Sequence, residues 1–217
     1  MRPFITHTGH AAALLRPNID TDLIIPKQFL KTLKRTGLGA HLFHEWRYDP
    51  EGKEISEFIL NQPRGRAATI LLAGSNFGCG SSREHASWAL RDFGFRAVLA
   101  PSFADIFFNN CFQNGILPAC VAQATLAELA PLDAPLTVDL PTQTVTSAAG
   151  VVRFDIDPAR KRALLLGLDG IASTERHLAA ITRYEARRAA EAPWAVPPAS
   201  GRIGVHARDR ADLDSKA

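Results

Sequence analysis

The stretch Thr69-Ile70-Leu71-Leu72-Ala73-Gly74-Ser75-Asn76-Phe77-Gly78-Cys79-Gly80-Ser81-Ser82-Arg83-Glu84-His85-Ala86 decides the fold. Its first five residues form a short apolar run of the kind a buried strand needs. Residues 74–80 are a glycine-rich loop, and residues 81–93 read as a helix stopped by Gly94. The same rhythm then repeats. Residues 97–100 read as a second buried strand, 102–114 as a helix ended by Gly115, and 116–121 as a third strand. Strands alternating with helices predict an α/β fold with a partly parallel sheet and helices packed on it.

Working outward, residues 11–15 and 23–25 are apolar runs expected to be short strands. Between them lies Arg16-Pro17-Asn18-Ile19-Asp20-Thr21-Asp22, rich in residues that form turns. Residues 31–40 read as a loop with two glycines, and 41–46 as a short helix. Downstream the period changes: 136–140, 144–147 and 151–156 suggest a meander, followed by helical patterns at 158–166 and 174–188. Residues 1–190 are expected to form one domain. From 191 to 217 the composition shifts to Pro, Ala, Gly, Arg and Asp, which predicts a poorly ordered tail.

The 217 residues include 46% hydrophobic and 22% charged side chains, enough for a normal core and against wholesale disorder. With 25 basic and 22 acidic residues the net charge is +3, too small to point to nucleic acid. No apolar run has the length of a membrane span, and the N-terminus lacks a secretory pattern; a cytoplasmic, soluble protein is expected. The three cysteines, Cys79, Cys111 and Cys120, show no close pairing. They predict reduced thiols and no cluster or zinc site built by this chain alone.

A strand, a glycine loop and a helix start together make an anion site, because the first N–H groups of a helix lack intrahelical partners and its dipole favours negative charge. Two phosphate readings fail. A Walker loop needs Gly-Lys before Ser or Thr, and a dinucleotide fingerprint needs glycine where Arg83 stands. Arg83 suits a carboxylate, which it can hold bidentately. A plainer reading competes: Ser81-Ser82-Arg83-Glu84 also matches a capping box, with Ser81 at the N-cap and Glu84 three residues on. Cys79 is either a nucleophile activated by the helix start or a passive thiol. His85 is a packed histidine before it is a ligand. Asp20 and Asp22 either hold a cation or form Asx turns.

Residues 76–86 resemble the signature of the aconitase superfamily's swivelling domain. Residues 18–29, 35–43 and 100–107 are similar to the small-subunit family of 3-isopropylmalate dehydratases, and the resemblance runs in order from about Phe4 to about Tyr184. It implies a mobile β/β/α domain that closes over a cluster domain on another chain. It implies a large-subunit partner that carries a 4Fe-4S cluster, a dicarboxylate substrate, and isomerisation of 2-isopropylmalate to 3-isopropylmalate in leucine biosynthesis. By the same resemblance Ser81 is the catalytic base, Arg83 and Asp22 assist it, and Ser82, Arg83, Arg35 and Thr36 bind substrate. The loop at 30–38 has apolar residues where aconitases carry a citrate-binding arginine, though Lys34 and Arg35 can still meet a carboxylate. Related readings are the small subunit of a homoaconitase or methylmalate-type dehydratase, or a non-catalytic binding module.

Overall fold

The computed structural model describes residues 1–32 and 34–195. The chain divides into two compact units, Met1–Ser173 and Thr174–Ala217. In chain order the elements are β1 (Thr6–Gly9), β2 (Ala11–Leu14), α1 (Thr21–Ile24), α2 (His44–Arg47), α3 (Pro63–Arg66), β3 (Ile70–Ala73), α4 (Glu84–Phe93), β4 (Ala97–Ala100) and α5 (Asp105–Gln113). Then follow β5 (Leu117–Cys120), α6 (Gln123–Leu129), β6 (Leu136–Asp139), β7 (Thr144–Ser147), β8 (Gly150–Arg153), α7 (Pro158–Leu166), α8 (Gly170–Glu175) and α9 (Leu178–Glu191).

The first unit is layered. One sheet, ordered β2-β3-β4-β5, is parallel throughout; the other, β1-β6-β7-β8, is antiparallel. All four residues of β3 and of β4 are buried, as expected when a parallel sheet is covered on both faces. Period two sorts them. Leu71, Ala73, Val98 and Ala100 point into a core shared with Ala86, Ala89 and Leu90 of α4 and with Phe107 and Cys111 of α5. Ile70, Leu72, Ala97 and Leu99 face a second core, with Leu136, Val138 and Val145 of the antiparallel sheet. The result is the antiparallel sheet, the parallel sheet and the helices in three layers, the β/β/α arrangement expected from the sequence.

Several sequence expectations are corrected. Residues 23–25 do not form a strand. Asp20 Oδ1 accepts the Leu23 N–H at 2.8 Å and caps α1. A three-residue apolar run satisfies burial in either conformation, and the cap decides. β1 is an addition to the expected strands: Thr-His-Thr-Gly carries little apolar pattern, and its first residue pairs with Asp139 of β6, far along the chain. The helix expected from 102 begins at Asp105, because residues 102–104 run extended beside the glycine loop. The helical pattern at 174–188 is divided between α8 and α9.

In the second unit α9 and a short 3₁₀ turn at Pro193–Ala195 carry the described backbone. Of the tail expected at 191–217, Glu191 closes α9, and everything from 196 onward lies outside the described residues, as does Leu33 of the 30–38 loop.

Candidate active site

The loop between β3 and α4 leaves the carboxyl end of a central parallel strand, the place where open α/β sheets collect ligands. It is held from both sides. Toward β4, the Phe77 N–H donates to Ser102 O (3.1 Å), Ala104 N–H to Phe77 O (3.0 Å), and Asn76 N–H to Ser102 Oγ (2.8 Å). Toward β2, the Gly78 N–H donates to Ile19 O (2.7 Å) and Thr21 N–H to Cys79 O (2.9 Å). Asn18 and Asn76, both in the left-handed region that Asn tolerates, join side chain to side chain at 2.8 Å. Gly78 has φ of +76°, and a Cβ there would stand 2.1 Å from Phe107 Cγ. Both the backbone angle and the aromatic ring require glycine at this point.

Beyond Gly80 the chain turns outward. The Ser81 carbonyl accepts Thr21 Oγ1–H at 3.0 Å and the Arg83 N–H at 2.8 Å, which fixes the Ser81–Ser82 peptide. Ser81 and Ser82 are exposed. Among the described residues, no hydrogen bond occupies the Ser81 hydroxyl. α4 starts three residues later than expected, at Glu84, with an extended Arg83 in the cap position. The capping-box reading of Ser81 and Glu84 therefore falls. The Glu84 carboxylate instead accepts from Trp88 Nε1 at 3.2 Å and from Asn114 Nδ2 at 2.9 Å.

Arg83 is mostly covered, and its guanidinium pairs with the Asp22 carboxylate across 61 residues of sequence. Asp20, Asp22, Thr21, Ser81 and Arg83 are thus gathered where the first turn of α1 meets the glycine loop. The Asx reading of Asp20 holds, since it caps α1. Arg35 and Thr36 lie against a later part of α4. They line a cleft of about 340 Å³ with Trp88, Arg91, Asp92 and Asn114, and the Arg35 guanidinium sits 5.1 Å above the Trp88 ring.

Two residues without a sequence signal support this region. Thr21 is 2% exposed and ties α1 to Ser81; nothing in a lone threonine marks it in advance. Arg47 is 4% exposed. It donates to Asn61 Oδ1 (3.0 Å) and to the carbonyls of Gly39, Ala40 and Leu42 (3.3–3.4 Å), so it pins the segment after the 30–38 loop.

The thiols are not activated. Burial, then the nearby Asp20 carboxylate, pushes the Cys79 thiol up, against the reading of it as a helix-start nucleophile. Burial raises Cys111 far more strongly and Cys120 as well. Cluster iron takes thiolates. With Cys111 sealed in the core, and no group of three or more metal-binding side chains among the described residues, this chain's donors do not fit an iron–sulfur cluster. Nor, among the described residues, is any helix long and apolar enough to cross a membrane.

Comparison with known proteins agrees with this architecture. The aconitase C-terminal domain matches residues 1–124, and a LeuD_N model matches residues 126–158. The C-terminal domain of 3-isopropylmalate dehydratase small subunits matches residues 171–197. The 3-isopropylmalate dehydratase small subunit of Roseobacter denitrificans is 56% identical over 200 residues, covering 89% of this chain and all of the relative. That of Ruegeria sp. is 54% identical over 201 residues, with the same coverage. A crystal structure of a 3-isopropylmalate dehydratase from Methanocaldococcus jannaschii superposes with a TM-score of 0.63 at 23% identity, over 83% of this chain and 99% of that one, and shows the shared fold. The layered fold, the glycine loop and relatives matched along their whole length lead to one conclusion: the chain belongs to the 3-isopropylmalate dehydratase small-subunit family.

Proposed function

We propose that the chain is the small subunit of a cytoplasmic hydro-lyase that isomerises 2-isopropylmalate to 3-isopropylmalate through isopropylmaleate, in leucine biosynthesis, and that it acts only when assembled with a large subunit. The observation that carries the reading is the Gly78–Arg83 loop. Ser81 is exposed, its hydroxyl has no partner among the described residues, and it precedes an Asp22-paired arginine by two residues and the start of α4 by three, in a chain over half identical to proteins of that name.

The reaction removes a proton from a carbon next to a carboxylate. A serine hydroxyl is a weak base at neutral pH, so the site must favour its alkoxide. The positive end of α4, which starts three residues on, and the Arg83 guanidinium, two residues on, are the groups in this loop that would do so. Ser81 then takes the proton from carbon and returns it to the neighbouring carbon in the hydration half. Ser82 and Arg83 hold the adjacent carboxylate, and Arg35 and Thr36 engage the far end of the substrate. Asp22 holds the guanidinium in place and gives it up in part when a substrate carboxylate arrives. The thiols of this chain do not fit a cluster, and the proposal puts the 4Fe-4S group on the large subunit, where it would supply the Lewis acid that takes up the leaving hydroxyl and returns it to the neighbouring carbon.

The test is a substrate panel on the assembled two-subunit enzyme: 2-isopropylmalate, a methylmalate and a homocitrate-type tricarboxylate. Preferred turnover of 2-isopropylmalate, with none by this chain alone, is expected. Preference for the tricarboxylate would make the chain a homoaconitase-type subunit, and turnover by the isolated chain would overturn the two-subunit reading.

A further inference from the structure

Glu84 follows Arg83 directly, yet it neither caps α4 nor faces the Asp22–Arg83 pair. Its half-buried carboxylate does two things with one oxygen. It accepts from Asn114 Nδ2, whose residue is 1% exposed and stands at the end of α5. It also accepts from Trp88 Nε1, one turn along α4. Asn114 Nδ2 additionally reaches Ser87 Oγ (3.1 Å) and Asn110 O (2.9 Å), so the amide is anchored on both helices. The Trp88 ring, oriented by that N–H, is the surface on which the Arg35 guanidinium lies. His85 closes the arrangement. Its ring packs on Trp88 with centroids 4.5 Å apart, and its Nε2 is 3.3 Å from Thr32 O.

We propose that Glu84 is a positioning residue that sets two substrate-facing segments at once: the Ser81–Arg83 loop, by locking the first turn of α4 to Asn114, and the segment around Arg35, by orienting Trp88. A carboxylate accepting two N–H groups in a half-buried place is a strong fixed point, because charge-assisted hydrogen bonds outweigh neutral ones. A positioning role explains why an acidic residue is placed beside Arg83 without pairing to it. The proposal rests on the reading of Arg83 and Arg35 as substrate-binding groups.

Two measurements separate the proposal from that reading. The first is amide exchange in residues 30–38 of the isolated chain, which needs no partner. Glu84→Ala should speed it by about tenfold, as loss of a hydrogen bond to a charged group would. Glu84→Gln, which keeps an accepting oxygen but loses the charge, should fall between the wild type and the Ala variant. Trp88→Phe keeps a ring, removes the N–H, and should also speed exchange if Glu84→Ala proves too unstable to purify. Unchanged exchange in Trp88→Phe, or a Gln variant as loose as the Ala variant, overturns the proposal. The second is the split between KM and kcat in the assembled enzyme. Arg35→Ala should raise KM, and Glu84→Ala should raise it by a smaller factor in that background than in the wild type, because part of its effect runs through the Arg35 contact and only the remainder through the Ser81–Arg83 loop. Fully additive effects overturn the coupling of Glu84 to Arg35. A wild-type KM in Arg35→Ala refutes the substrate role of Arg35 alone, and the exchange data then still decide what Glu84 holds.

Discussion

Ser81→Ala separates two consequences that a helix cap would have tied together. If Ser81 capped α4, removing its hydroxyl would cost about 0.5–2 kcal/mol. The structure starts α4 at Glu84, leaves the Ser81 hydroxyl without a partner among the described residues, and fixes the local chain through the Ser81 carbonyl, which alanine retains. No buried group is left unsatisfied, so the change belongs with ordinary surface substitutions, within about 0.5 kcal/mol. At ~2–4 °C per kcal/mol for a domain of this size, Tm should move by no more than about 2 °C. Turnover should behave differently. Loss of a general base typically lowers the rate by about 10²–10⁴. The assay is hydration of isopropylmaleate by the complex with the large subunit, followed by the loss of double-bond absorbance, with thermal unfolding of the isolated variant alongside. Turnover within about threefold of wild type would remove Ser81 from the chemistry, since general-base loss costs far more. A Tm drop of more than about 5 °C would show that the hydroxyl carries structure after all.

Gly78→Ala should be costly. The left-handed backbone contributes about 1–2 kcal/mol and the clash with Phe107 about 1–3, and Phe107 sits among Phe77 and Phe103 with little room to turn. A urea unfolding midpoint close to wild type would contradict the tight approach. Asp20→Ala should cost about 1 kcal/mol by removing the cap of α1, while Asp20→Asn should restore most of it, as read by thermal unfolding. Stability should fall as pH drops below about 6.5. Burial, with Arg96 and Arg2, holds the His7 imidazole below its ordinary value, and burial with His41 does the same for His44. The unfolded chain therefore binds protons first, so the stabilisation is whole above pH 6.5 and is lost as pH falls through the lowered values. Urea unfolding from pH 7.5 to 5.5 should show this, and a His7→Gln, His44→Gln double variant should flatten the slope.

The strand–loop–helix units were legible because their signals are local. Ile70–Ala73 and Ala97–Ala100 are too short and too apolar to be anything but buried runs, and Gly94 and Gly115 stop the helices that follow them. The beginning of α4 was not legible. Ser-Ser-Arg-Glu satisfies a capping pattern over four residues, but Glu84 finds better donors in Trp88 and Asn114, the second from 30 residues away. Residues 23–25 misled in the same way, since three apolar residues fit a core as helix or strand, and the Asp20 cap settles the choice. Among the proposed site residues, the motif named Ser81, Ser82 and Arg83 together because they are adjacent in the chain. Thr21 and Asn114 carried no local mark.

By itself the sequence determined the parallel βαβαβ unit, the family, and the loop in which the chemistry is proposed to lie, because hydrophobic period, glycine conformation and motif identity act over a few residues. Only the tertiary structure decided that β1 pairs with β6, that Asp22 reaches Arg83, that Thr21 holds Ser81, and that Arg35 rests on Trp88. Each of these joins residues 53 to 133 positions apart in the chain. Such pairs form because packing two cores against one sheet brings their elements together, and no pattern within either partner specifies the other.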